Sequence, residues 1–468
     1  MIQNFCTTHL KAPVRLLALG SLYSMAFFAP FSIALGQIAF AIMFFVAIGF
    51  FYQNWLSLRR SPLLWLTVAY GVYVVARGAV AANFEAPVME PSEEWLAVLE
   101  VNDLASAHWE ETFRWLRSGP VVILLVAATL AATGNWLRHS LGGLIALSLG
   151  TGVLFAQGLD FEMLLEAIQG GSRYREGVNL FIDAFKFVTL IIGLFAFAPL
   201  LLRRSNNALS IGFRIAFFLA LLAFSVSVVI AMETRSVWIS GLTGLFVLAV
   251  CVMWNKQFYR FNEYSYASIA AIFMTCLILS SLIAFMWEPI TARWNQNGAD
   301  VTIVQALTTR VTEWGHELPE NSVGIRAAYF DVALNLYMQR PLLGYGPADP
   351  RYLREDYSNM PNKLEDRRGH FHNTHLELLL SFGAVGYALF GLVFVFTFLE
   401  AKQQIHRDKR SQMLAFFVIA FCASLFVFGF ATVNLERFKM AHFYGFILGI
   451  LWAGSLFRIS CSNRNSCV

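Results

Sequence analysis

The chain has 468 residues, 57% hydrophobic, 15% aromatic and 14% charged, with a formal net charge of +4. A soluble domain carries about 25% charged residues, so this chain has too little polar surface to cover a soluble globule of its length. Whole-chain readings as a soluble enzyme, a disordered scaffold or a nucleic-acid binder are excluded, and the modest charge implies no polybasic partner.

A transmembrane helix needs about 20 mainly apolar residues. Windowed hydropathy predicts about 12 such runs, near 16–34, 36–53, 62–80, 118–134, 141–158, 179–201, 208–231, 237–254, 266–287, 376–399, 413–433 and 440–457. The first run leads straight into the second, which does not fit a cleaved signal peptide. The expected fold class is all-α: a polytopic integral membrane protein with a large outer loop containing short helices. The expected organisation is 1–287 (spans with an acidic loop at 81–117), 288–375 (the large outer loop) and 376–468 (the last spans and a short tail).

Basic residues accumulate in cytoplasmic loops. With Lys11 and Arg15 inside, the short loops holding Arg59 and Arg60, Arg138, Arg203 and Arg204, Lys256 and Arg260, and Lys402 with Arg407, Lys409 and Arg410 all fall inside. Loops 81–117 and 159–178, rich in Asp and Glu, fall outside, and both termini are expected in the cytoplasm. The six cysteines have neither zinc nor thioredoxin spacing and give no disulfide framework.

Charged groups inside spans are expensive and are functional candidates by default. Asp183 and Lys186 are three residues apart and can pair on one helix face. Arg77 closes the third run, and Arg214 opens the seventh and is expected to snorkel. No Gly-rich phosphate loop is present, which argues against a nucleotide-driven machine.

The informative residues lie in the outer connections. Arg235, in Glu233-Thr234-Arg235-Ser236, stands where a span begins and runs inward. An outward-facing helix N-terminus with an arginine makes an anion site. Arg326 lies on an amphipathic helix predicted near 323–339, which stops at Arg340-Pro341 because proline disfavours helix before it. Gly369-His370-Phe371-His372-Asn373-Thr374-His375-Leu376-Glu377 then enters the tenth run. Thr374 and Glu377 have capping-box spacing. The histidines at 370, 372 and 375 lack the spacing of a helical zinc site. A histidine beside a helix N-terminus is biased toward its neutral form, the form a general base requires.

His372-Asn373, nine residues, then Gly383-Ala384-Val385-Gly386 resembles the His-Asn-x9-Gly-x-x-Gly pattern of the bacterial O-antigen ligase and polymerase superfamily. Arg326 followed by Pro341-Leu342-Leu343-Gly344-Tyr345-Gly346-Pro347, and Thr234-Arg235-Ser236 at the start of a span, are similar to its other elements and occur in the same order. The resemblance covers about 232–400. It implies an inner-membrane glycosyltransferase, working at the periplasmic face without metal or ATP, that inverts at the anomeric carbon. The donor would be polysaccharide on undecaprenyl diphosphate. The acceptor would be a sugar hydroxyl of lipid A–core for a ligase, or another lipid-linked repeat for a polymerase. Arg235 and Arg326 would bind the diphosphate and His372 would take the acceptor proton. Asn373 would orient the histidine or cap the helix. Arg367, Arg368, His370, His375 and Arg437 would assist binding, and His370 and His375, flanking His372, are the alternative candidates for the base. Gly383 and Gly386 read as close-packing positions. The complete histidine motif favours the ligase. The alternatives are the polymerase, a protein O-glycosylating enzyme, and a polysaccharide or solute transporter, which would place charges at mid-membrane.

Overall fold

A computed structural model of the chain describes residues 12–85, 103–117, 119–157, 162–163, 180–201, 208–232, 234–254, 322–348, 371–432 and 438–462. These residues form helices and their connections, with no strand among them. The helices are α1 (Ala12–Phe28), α2 (Ile33–Leu58), α3 (Pro62–Asn83), α4 (Leu104–Leu116), α5 (Pro120–Ala132), α6 (Trp136–Gln157) and α7 (Leu180–Leu201). They continue with α8 (Ala208–Ala231), α9 (Arg235–Trp254), α10 (Ser322–Gln339), α11 (Thr374–Ile405), α12 (Lys409–Gly429) and α13 (Phe438–Ser462). Among the described residues, 10 helical stretches are long and apolar enough to cross a membrane. The chain is a polytopic all-α membrane protein. Each predicted run except 266–287 falls on one of these helices. That run lies outside the described residues, as does most of loop 288–375.

The helix boundaries are set by local chemistry. Ser32 caps α2, its side chain accepting from Leu35 N, and Pro62 and Pro120 stand at the first turns of α3 and α5, where a missing N–H is harmless. Asp408 caps α12 through the amides of Arg410 (2.9 Å) and Ser411 (3.2 Å).

Helices that are apolar all round belong at the centre. Every residue of α5 except Val121 is buried, and α5 packs on α13, which is almost wholly enclosed. Gly445 and Gly449 of α13 face Val122 and Val126 of α5, and a Cβ at either glycine would come within 2.7 Å of a valine carbon. Small residues one turn apart let two membrane helices approach closely. Around this pair, α1, α2 and α6 pack on one flank, and α7, α9 and α12 on another, with α8 against α7. The outer helices leave large apolar side chains uncovered, such as Phe45 at 71% and Phe246 at 69% exposure. That is the surface a bilayer would cover.

One element departs from expectation. The acidic loop 81–117 contains α4, capped by Asp103, whose carboxylate accepts from Ser106 N at 2.7 Å. This helix buries Ala107, His108, Glu111, Thr112 and Trp115 and packs against α3. Its acidic residues hid it: Arg114 pairs with Glu110 and Glu111, so the charge that reads as a solvated loop is neutralised on a helix face.

Candidate active site

Five segments meet at one end of the bundle: the C-terminus of α3, the start of α9, α10 with residues 340–348, the N-terminus of α11, and the end of α12. Arg235 is the first residue of α9. Its predecessor Thr234 is buried, and the Thr234 carbonyl accepts from Val237 N (3.0 Å) and Trp238 N (3.1 Å). The Trp238 indole donates to Val229 O at 2.9 Å, which ties the start of α9 to the end of α8. A Cβ at Gly241 would meet Val188, and one at Gly244 would meet Ile192. Helices α7 and α9 are therefore parallel, and Asp183 lies level with the first turn of α9. The expected Asp183–Lys186 pair forms, at 2.8 Å and buried.

α10 spans Ser322–Gln339, where a helix was expected. It is not amphipathic in the expected sense. Tyr329, Val332, Ala333 and Leu336 are buried while Phe330, Leu334 and Met338 are exposed, so apolar residues cover two faces. Arg326 is partly buried one turn before Tyr329. Burial first, and then the nearby positive charge of Arg235, push the Arg326 guanidinium below its ordinary range. The positive charge of Arg235 at the start of α9 therefore acts on Arg326 of α10.

His372 immediately precedes the α11 cap. Its φ is 51°, the one positive value at a non-glycine position among the described residues. Its exposed ring stacks on Tyr329 with centroids 6.0 Å apart and planes at 22°. Since Tyr329 and Arg326 are three apart on α10, they share a face. Arg326 thus lies one turn along α10 from the tyrosine that meets the His372 ring.

The cap falls one residue before the expected capping box. Asn373 is the N-cap, its side-chain oxygen accepting from His375 N (2.9 Å) and Leu376 N (3.2 Å). Thr374 instead donates its hydroxyl to Thr432 O at 2.6 Å, and Glu377 accepts from Phe371 N at 2.8 Å. Asparagine is at least as good a cap as threonine, and the Thr432 carbonyl at the end of α12 claims the hydroxyl. His375 is committed elsewhere. Its Nε2 faces Phe426 O at 3.0 Å and its Nδ1 faces the Tyr387 hydroxyl at 3.1 Å. A carbonyl only accepts, so Nε2 carries the proton and Nδ1 accepts from Tyr387. That leaves His375 no free ring nitrogen for a substrate proton. Arg367, Arg368, His370 and Arg437 lie outside the described residues.

The glycine motifs build the floor of this region. α11 kinks at Gly383, with φ 62° and ψ −169°. The segment Pro341–Gly346 docks into the kink through Tyr345 N to Leu380 O (2.7 Å), Gly346 N to Ser381 O (3.1 Å), Ala384 N to Pro341 O (2.8 Å) and Val385 N to Leu342 O (3.2 Å). A Cβ on Gly383 would sit 2.1 Å from Leu342 O, and one on Gly344, at φ 69°, would sit 2.3 Å from Leu380 O. Only glycine permits both the backbone angle and the approach. The Tyr73 hydroxyl donates to Phe382 O at 2.6 Å, satisfying a carbonyl at the kink.

Sequence reasoning did not find what locks this segment. Arg77 of α3 is 4% exposed. It donates from Nε to Leu343 O (2.9 Å), from Nη2 to Gly344 O (2.8 Å), and forks onto Glu85 at 3.0 and 2.8 Å. Arg340 holds the same carboxylate at 2.7 Å and lies over the Tyr345 ring, 5.0 Å from its centre. His108 of α4 accepts from Ala348 N at 3.4 Å. The only signal in the sequence was an arginine near the end of a span.

The fold and this site define a multi-pass helical membrane protein that gathers two arginines and a histidine at one end of its bundle. Residues 220–391 match the family model described as O-antigen ligase. That stretch, somewhat over a third of the chain, contains Arg235, Arg326, His372 and the Gly383 kink, and it is similar to the O-antigen ligase family, as its motifs suggested. No curated protein matches the chain.

Proposed function

We propose that the protein is an O-antigen ligase of the inner membrane, with its site facing the periplasm and both termini in the cytoplasm. It transfers polysaccharide from undecaprenyl diphosphate to a sugar hydroxyl of lipid A–core. The acceptor oxygen attacks the anomeric carbon from the face opposite the diphosphate. The bond from that carbon to the diphosphate oxygen breaks with inversion, and the acceptor proton passes to His372. The released undecaprenyl diphosphate takes the bonding electron pair. Arg235 and Arg326 hold the phosphate oxygens and stabilise the charge as it develops. General-base assistance is worth about 10²–10⁴ in rate.

The observation that carries this reading is the positive charge of Arg235 acting on Arg326, which lies one turn along α10 from the tyrosine stacked on His372. A bound diphosphate would offset the repulsion between the two arginines. Asn373 supports the site as the cap of α11, and Arg367, Arg368, His370 and Arg437 are candidates for further contacts with the sugar or phosphate. The polymerase reading shares every one of these residues. Gly383 and Gly386 serve the kink and its packing, so the motif they complete says nothing about the acceptor.

The test is a transfer assay with purified wild-type protein and the His372→Ala, Arg235→Ala and Arg326→Ala variants. Undecaprenyl-diphosphate polysaccharide is the donor and rough lipopolysaccharide the acceptor, with EDTA and no nucleotide. A lipopolysaccharide ladder from wild type alone supports the ligase. Longer lipid-linked chains without a ladder support the polymerase. Full activity in any variant removes that residue from the mechanism.

A further inference from the structure

We propose that Glu377 and Tyr329 are positioning residues that hold His372 in its reactive geometry, an inference that rests on the base role proposed above. His372 adopts a left-handed backbone, φ 51°, which a side chain with a Cβ disfavours. Such a conformation persists only when its surroundings over-determine it, and these outliers cluster at active sites.

The surroundings here do so from three directions. Before the histidine, the buried Glu377 carboxylate, one turn into α11, accepts from Phe371 N at 2.8 Å. After it, Asn373 caps the helix through two amides, and Thr374 is pinned to α12 by Thr374 N to Thr432 O at 3.0 Å as well as by its hydroxyl. The backbone on each side of His372 is thus tied to a rigid helix end. The ring has its own support, since Tyr329 is fully buried and lies nearly parallel to the imidazole. Phe371 meets the same tyrosine edge-on at 6.1 Å. An ordinary helix start needs the Asn373 cap alone. It needs neither a buried carboxylate reaching back past the cap nor a tyrosine from another segment. Because Tyr329 is one turn from Arg326, the same contact fixes the distance between the base and the phosphate-binding arginine. A misplacement of about 1 Å can lower a rate by about 10²-fold.

The test measures kcat and donor KM for Glu377→Ala, Glu377→Gln, Tyr329→Leu and Tyr329→Phe in the assay above, with His372→Ala alongside. Each protein is first shown to be folded by size-exclusion and thermal unfolding in detergent. Glu377→Ala and Tyr329→Leu are expected to lower kcat about 10²-fold with donor KM little changed. Glu377→Gln keeps an acceptor for Phe371 N and Tyr329→Phe keeps the stacking ring, so both recover most of the rate. The Glu377→Ala, His372→Ala double variant is expected to be no slower than His372→Ala alone. Wild-type kcat in Tyr329→Leu or in folded Glu377→Ala, with His372→Ala inactive, overturns the positioning role and leaves the base role standing. A loss seen only in KM also overturns it. Full activity in His372→Ala refutes the base role itself, and the positioning role with it. Should Glu377→Ala not fold, the Tyr329 pair decides.

Discussion

Arg77→Ala tests how the 341–348 segment is held. The side chain makes four hydrogen bonds, two to loop carbonyls and two to Glu85. Removing one partner of a buried ion pair costs about 3–5 kcal/mol. Glu85 is partly exposed and keeps Arg340, so the lower end of that range, about 3 kcal/mol, is expected. At about 1.4 kcal/mol per decade, that raises the opening of the docked segment about 10²-fold. The readout is amide hydrogen exchange by mass spectrometry in detergent. The amides of Tyr345, Gly346, Ala384 and Val385, which make the four bonds across the kink, should exchange about 10²-fold faster. Those of α5 and α13, far from the clamp, should not change. Arg77→Lys should fall between, because an ammonium keeps the charge without the planar fork. Exchange in 341–348 and 380–385 that stays at the wild-type rate in Arg77→Ala would refute the clamp.

Gly383→Ala is expected to prevent docking of the segment and to abolish transfer, since its Cβ would overlap Leu342 O; a soluble, fully active variant would show that the kink is dispensable. Tyr387→Phe removes the hydroxyl from His375 Nδ1 and should lower stability by about 1 kcal/mol while transfer stays within a few-fold. Loss of transfer in a folded Tyr387→Phe protein would return His375 to the chemistry. Asp183→Asn removes the carboxylate from the buried pair with Lys186 and should lower the unfolding temperature by several degrees, from a penalty of about 3–5 kcal/mol. If melting is unmoved, the pair is not structural.

Much of the fold was legible because burial in a bilayer is a local sum. A run of apolar side chains long enough to cross hydrocarbon declares itself, and the runs from 16–34 to 440–457 fall on helices wherever the structure describes them. The stop of α10 before Pro341 and the Asp183–Lys186 pair were legible for the same reason: both depend on neighbours within one turn. Helix α4 was missed because its charges cancel through i+3 and i+4 contacts on the helix, which a count of acidic residues does not register. Two good caps, Asn373 and Thr374, stand side by side at the start of α11, and a carbonyl of α12 decided between them by taking the Thr374 hydroxyl.

Hydropathy alone makes this chain a helical membrane protein, and the order of its arginine, histidine and glycine motifs alone carries the resemblance to the O-antigen ligase and polymerase superfamily. Tertiary structure decided what those residues touch. Arg326 was linked to Arg235 by motif order alone until the fold let the charge of Arg235 act on it. His375 stood as an alternative base to His372 until Phe426 and Tyr387 occupied both its ring nitrogens. Gly383 read as a packing residue until Pro341–Gly346 was seen lying in its kink, locked by an arginine 266 residues distant in the chain. Hydropathy is a property of each segment alone, whereas a hydrogen bond or a charge interaction acts over a few ångströms between groups that only packing brings together.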